Sequence, residues 1–79
     1  MSQIEYSVMK VSKYGNKVTL TDGSKWEISP GDSTKCILWY PTQRIQIKKV
    51  NGIVYQYQLV NLDTAGPDIV ECHQILGSR

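Results

Sequence analysis

The chain has no phenylalanine, one histidine and two cysteines, and it is short of glycine-rich loops, long apolar runs and net charge. Each shortage narrows what the protein can be. With His73 as the sole imidazole, any histidine-based acid–base chemistry has one candidate. Glu71 would share its strand face, but no local motif joins a nucleophile, a base and an orienting group. A surface or capping role is expected for His73. Cys36 and Cys72 stand alone, with no CxxC pair. Structural zinc sites come with closely spaced ligands. Here only Cys72 and His73 are close, and neighbouring strand residues point to opposite faces. No metal and no cofactor is expected, and the cysteines read as buried thiols of a reducing compartment. Ser29-Pro30-Gly31-Asp32 lacks the glycines and lysine of a phosphate-binding loop. No apolar run approaches the roughly 20 residues of a membrane span. The run from Met1 has polar and acidic residues where a secretory signal would be apolar. The expectation is a cytoplasmic protein with no membrane partner and no enzymatic activity.

What is present suits one small folded domain spanning residues 1–79. Apolar residues make up 41% and charged residues 20%, which is a globular and not a disordered balance. Net charge is +2, too small to argue for nucleic acid by itself. Residues 1–49 hold eight Lys/Arg against four Asp/Glu, and residues 50–79 hold one against three. Lys10, Lys13, Lys17 and Lys25 fall around the first two turns. Lysines on strand edges commonly guard against sheet-to-sheet pairing, and that is their default reading.

The apolar pattern is that of strands. Ile4, Tyr6 and Val8 share one parity, whereas Met9 and Val11 share the other. The slip predicts a bulge near Val8–Met9 in a long, bent first strand. Gly15-Asn16 predicts a two-residue hairpin with Val11 across from Leu20, and Met9 and Val11 on the face of Val18 and Leu20. The stretch Leu20–Ile28 carries the next turn. A two-residue Asp22-Gly23 loop would mix inside with outside. A three-residue loop, Thr21-Asp22-Gly23, pairs Val18 with Trp26 and sets Val18, Leu20, Trp26 and Ile28 on one face, with Gly23 left-handed. Ser29 as cap and Pro30 as first helical residue predict a short helix or 3-10 turn over about 31–39. A strand through Cys36–Tyr40 competes with it, and Pro41 stops either. Residues 43–50 form a strand, with Ile45 and Ile47 inward. A second three-residue loop, Val50-Asn51-Gly52, then pairs Ile47 with Tyr55 and leads into a strand from Ile53 to Val60. Residues 69–76 read as a closing strand, with a helical stripe as the alternative. The sum is an all-β, five- to six-stranded antiparallel barrel, SH3-like or OB-like, with one short helix.

Two surfaces are candidates for binding. In the expected hairpin register Arg44 faces Gln58, Gln46 faces Gln56 and Lys48 faces Val54, a polar face with two cations and no acid. Trp39 and Tyr40, followed by Pro41, could line a groove for a peptide or a platform for a base. Burial of Trp39 in the core competes with that use. The leading expectation is a binding or assembly module that recognises a protein or peptide through Trp39, Tyr40, Arg44, Gln46, Lys48, Gln56 and Gln58. Single-stranded nucleic acid on the 43–60 hairpin is the alternative, and a homo-oligomeric structural subunit is the second.

The run Asp22-Gly23-Ser24-Lys25-Trp26-Glu27-Ile28, followed by Asp32, Trp39-Tyr40-Pro41 and Arg44-Ile45-Gln46-Ile47, resembles a pattern of short bacterial small-barrel proteins. There an Asp-Gly-Ser-x-Trp hairpin precedes an Asp, a Trp and a Gly-Asp-x-Val strand entry. The resemblance covers about the middle third of the chain. This chain has Thr42-Gln43 in place of Gly-Asp. The resemblance implies no function.

Overall fold

The phase slip in the first strand is a bulge at Met9. The computed structural model describes residues 5–64 and 68–75, so Ile4, Leu76 and residues 65–67 of the last loop lie outside it. The elements are β1 Glu5–Val11, β2 Lys17–Leu20, β3 Lys25–Ile28, α1 Ser33–Ile37, β4 Arg44–Lys49, β5 Tyr57–Asn61 and β6 Asp68–Gln74. Val8 lies across from Leu20 and Lys10 across from Thr19, which leaves Met9 as the extra residue. Val8 and Val11 therefore both turn inward, while Met9 is exposed instead of joining the inner face expected for it.

The strands close into one barrel in the order β1-β2-β3-β6-β5-β4, with β4 returning to β1. Every neighbouring pair is antiparallel. Two three-stranded meanders thus join along β1·β4 and β3·β6. The inner residues Val8, Val18, Leu20, Trp26, Ile28, Ile45, Leu59, Val70 and Cys72 fill the barrel, and Cys36 of α1 and Trp39 join them. The tail 69–74 is a strand.

The loop Thr21-Asp22-Gly23 is as expected. Val18 faces Trp26, Gly23 has φ +89°, and Leu20 exchanges backbone bonds with Ser24 and Gly23. The first hairpin differs. Val11 faces Val18 and not Leu20, and the loop is Lys13–Asn16. Ser12 closes it: its Oγ donates to Asn16 Oδ1 at 2.7 Å and accepts from Lys17 N at 3.0 Å. The second hairpin differs more. Ile47 faces Leu59 and not Tyr55, and Ile45 faces Asn61. Val50 N donates to the Gln56 carbonyl at 2.9 Å, so residues 51–55 are loop, with Ile53 and Val54 exposed. The reason is that β5 must also pair with β6, and only residues 57–61 do so.

The helix sits where it is expected but is not capped by Ser29. Asp32 is its N-cap and makes no side-chain cap bond, because Asp32 Oδ2 accepts from Glu71 N at 2.9 Å. A helix of five residues holds only through tertiary contact. Part of that contact is Gly15, φ +75°, whose Cα faces the Ser33 carbonyl and Ile37. Gly15→Ala is expected to cost about 2–4 kcal/mol, from a left-handed alanine and the collision with α1. Gly23→Ala meets open space and carries only the left-handed cost of about 1–2 kcal/mol. Urea midpoints of the two variants check the difference. Equal losses would mean that the helix does not lean on the first turn.

Candidate functional site

Between α1 and β4 the chain crosses one end of the barrel, and this crossing carries the exposed apolar side chains Ile37, Leu38 and Tyr40. Trp39 is its inward anchor. The indole is 3% exposed, and its Nε1 donates to Asp68 Oδ2 at 3.2 Å. Its neighbours point the other way: Leu38 is 74% and Tyr40 62% exposed, with Ile37 also exposed beside them. Of the aromatic pair expected to bind, Trp39 is thus core and Tyr40 is surface.

Three residues fix this backbone. Thr42 has φ +79°, a left-handed conformation that a β-branched residue adopts only under strain. Its N–H donates to the Val8 carbonyl at 3.0 Å, and Val8 N donates to the Gln43 carbonyl at 2.9 Å, so the crossing is stitched to the bulged strand. Gln43 is buried, and its Oε1 accepts from Tyr40 N at 3.1 Å and from Asn61 Nδ2 at 2.8 Å. Asn61, also buried, uses Oδ1 to accept from Asp63 N at 2.9 Å. Buried polar groups satisfied in this way specify one backbone arrangement. Sequence reasoning did not single out Thr42, Gln43 or Asn61 as positioning residues. The available signal was Thr42, which stands where the resembled pattern has glycine, the residue that takes a left-handed backbone without strain.

The residues expected on the hairpin face are not one surface. Arg44 is held by Asp63, with Nη2 and Nε at 2.8 and 3.1 Å from Oδ1 and its backbone N at 2.7 Å from Oδ2. Those bonds, the guanidinium's first, keep the Asp63 carboxyl below its usual range. Gln46 is half-buried and faces Val60 and not Gln56. Lys48 faces Gln58 and not Val54, and Glu71 lies on the other side of Gln58. Gln56 closes the 51–55 loop, its carbonyl accepting from Val50 N, and is exposed. The register shift therefore pulls Arg44 and Gln58 apart and brings two acids, Asp63 and Glu71, beside a face expected to have none.

His73 Nε2 lies 3.3 Å from Glu27 Oε1, on the surface, with the Tyr55 ring 5.8 Å away. Cys36 and Cys72 are free and buried. Burial pushes both thiols from 9.0 up to about 12, helped at Cys36 by Cys72, Asp32 and Asp68. The unfolded chain ionises both near pH 9 and the folded chain does not. Stability is therefore full below pH 9 and falls as pH rises from there toward 12. At pH 8 a thiol-specific disulfide reagent should label neither cysteine in the native protein and both in urea. Rapid native labelling would show an open barrel end. Among the described residues no three His, Cys, Asp or Glu side chains gather as for a metal ion, and no helix is long and apolar enough to cross a membrane.

No family model matches this chain, and no curated protein or solved structure matches it significantly.

Proposed function

We propose that the chain is a non-enzymatic binding module that recognises a protein or peptide partner through the Ile37–Leu38–Tyr40 edge. The supporting observation is that Leu38 and Tyr40 are largely exposed on a backbone held by the buried Gln43–Asn61 bond and by the strained Thr42. A preordered apolar edge binds without first being ordered, which removes part of the entropic cost of association. Tyrosine is also enriched among residues that dominate binding energy. Trp39 serves this edge as its anchor and not as a contact. The two free, buried thiols support a reducing compartment, and the reading includes a cytoplasmic location.

Amide NMR titration with peptide fractions of a cell extract tests the proposal. Shifts should centre on residues 37–43. They should vanish in Leu38→Ser and Tyr40→Ala, whose stabilities should stay within about 0.5 kcal/mol of the parent, as for ordinary surface changes. If a mass that rises with concentration in sedimentation is lost in the same variants, the partner is a second copy of the chain. Shifts that avoid residues 37–43 would sink the proposal.

A further inference from the structure

The lysines near the first two turns do not guard an edge. β1 pairs with β2 and β4, β2 with β1 and β3, and β3 with β2 and β6, so none of these strands has a free edge to protect. The register instead places Lys10, Thr19 and Lys25 in one row across the outer face of three strands. Ile75 extends the row, its N–H bonded to the Lys25 carbonyl. Lys17 lies two residues along β2 from Thr19, beside Ser12. Together these side chains line a groove of about 430 Å³.

The bulge completes the groove. In an unbroken strand Lys10 would share the inward parity of Val8. The extra residue at Met9 turns Lys10 outward, into line with Thr19 and Lys25. Bulges commonly re-aim a side chain in this way next to functional sites. Glu27 lies across from Lys17, with its Oε1 turned to within 3.3 Å of His73 Nε2. Among the described residues no carboxylate lines the groove.

We infer that this groove binds a phosphate-bearing ligand of the nucleotide class, either free or as a unit of single-stranded nucleic acid. Lysine ammoniums are compact charges suited to phosphate oxygens. Adjacent strands are about 4.8 Å apart, so Lys10 and Lys25 stand roughly 10 Å apart at their backbones, and Lys17 about 7 Å from Thr19 along its strand. Flexible side chains on that spacing reach two successive phosphates. Thr19 stands between them in the row, and Ile75 offers apolar surface to a sugar or base. The volume is within the range of small-ligand sites. This site is separate from the Ile37–Tyr40 edge and does not depend on it.

Amide NMR titrations with ATP, a six-residue oligothymidylate and inorganic phosphate at 20 and 200 mM salt test the inference. Shifts should fall on Lys10, Thr19, Lys25 and Ile75. Lys10→Gln and Lys25→Gln should each weaken binding about tenfold, and Lys13→Gln, outside the groove, should leave it unchanged. A single strand held at two phosphates should lose affinity with a log–log salt slope of about −1.4. Tighter binding of the oligonucleotide than of ATP assigns the polymer as the source, and the reverse assigns the free nucleotide. No shift in the groove with either, or shifts indifferent to Lys10→Gln and Lys25→Gln, overturns the inference.

Discussion

Trp26→Ala is expected to lose about 3–5 kcal/mol, the usual cost of deleting a buried tryptophan side chain. A chain of this length has roughly 4–12 kcal/mol to lose, so the substitution removes at least about a quarter of the total and unfolds the chain at 25 °C outright where the parent lies at the low end of that range. The indole is 3% exposed, and its ring meets Tyr57 edge-on at 5.2 Å between centroids. It is also tied to the turn that precedes it. Trp26 Nε1 donates to Ser24 Oγ at 2.8 Å, Ser24 Oγ donates to Asp22 Oδ1 at 2.6 Å, and Ser24 N donates to the same oxygen at 3.0 Å. The side chain that fills the barrel is thus the one that fixes the Thr21–Gly23 loop. Trp26→Phe separates the two roles. It keeps most of the apolar volume and loses the indole donor, and should cost only about 0.5–1 kcal/mol more than volume alone, since Ser24 is half-exposed and water can replace the bond. Urea unfolding followed by Trp39 fluorescence measures both variants. A Trp26→Ala midpoint near that of the parent would remove Trp26 from the centre of the fold.

The inside and the outside of this barrel were legible except at the bulge, where Met9 was expected inward and is exposed, and the registers only in part. Alternation has a period of two, so it tells which residues face the core and rejects any slip of one. It is blind to slips of two or four. The Thr21–Gly23 loop was read correctly because its competing loop differed by one residue. The Gly15-Asn16 hairpin was misread by two, and the Val50–Gly52 hairpin by four. Val11, Ile45 and Ile47 kept their faces throughout. What set those registers lies far away in sequence: α1 packing on Gly15 in one case, and the pairing of β5 with β6 in the other. The candidate face failed for the same reason. Arg44 and Gln58 share a side of the sheet but not a neighbourhood. The lysine groove was hidden likewise. Its residues were seen as a cluster, yet only ring closure removes the edge they were thought to guard.

Asn61 offers the test that joins fold to site. In Asn61→Asp the size is kept and one hydrogen-bond donor is lost. The new oxygen would face Gln43 Oε1 at the place where Asn61 Nδ2 now donates at 2.8 Å. Gln43 cannot answer by exchanging its amide oxygen and nitrogen, because that oxygen also accepts from Tyr40 N. Only a protonated carboxyl restores the bond. The folded state therefore holds the proton more tightly than the unfolded chain, whose Asp ionises near pH 4. A group whose affinity for a proton is raised by folding contributes stability below its unfolded value and loses it as pH rises. The variant should match the parent within about 0.5 kcal/mol at pH 3.5 and fall about 3–4 kcal/mol below it at pH 7, the scale for an uncompensated buried charge. Asn61→Ala should lose about 2–4 kcal/mol at both pH values, since it orphans the Asp63 N–H and leaves a cavity without adding a charge. Paired urea titrations at the two pH values decide it. A pH-independent deficit in Asn61→Asp would mean that the Gln43 amide turns freely. Leu38 and Tyr40 would then not be held by this network, and the edge they form would lose its claim to be preordered.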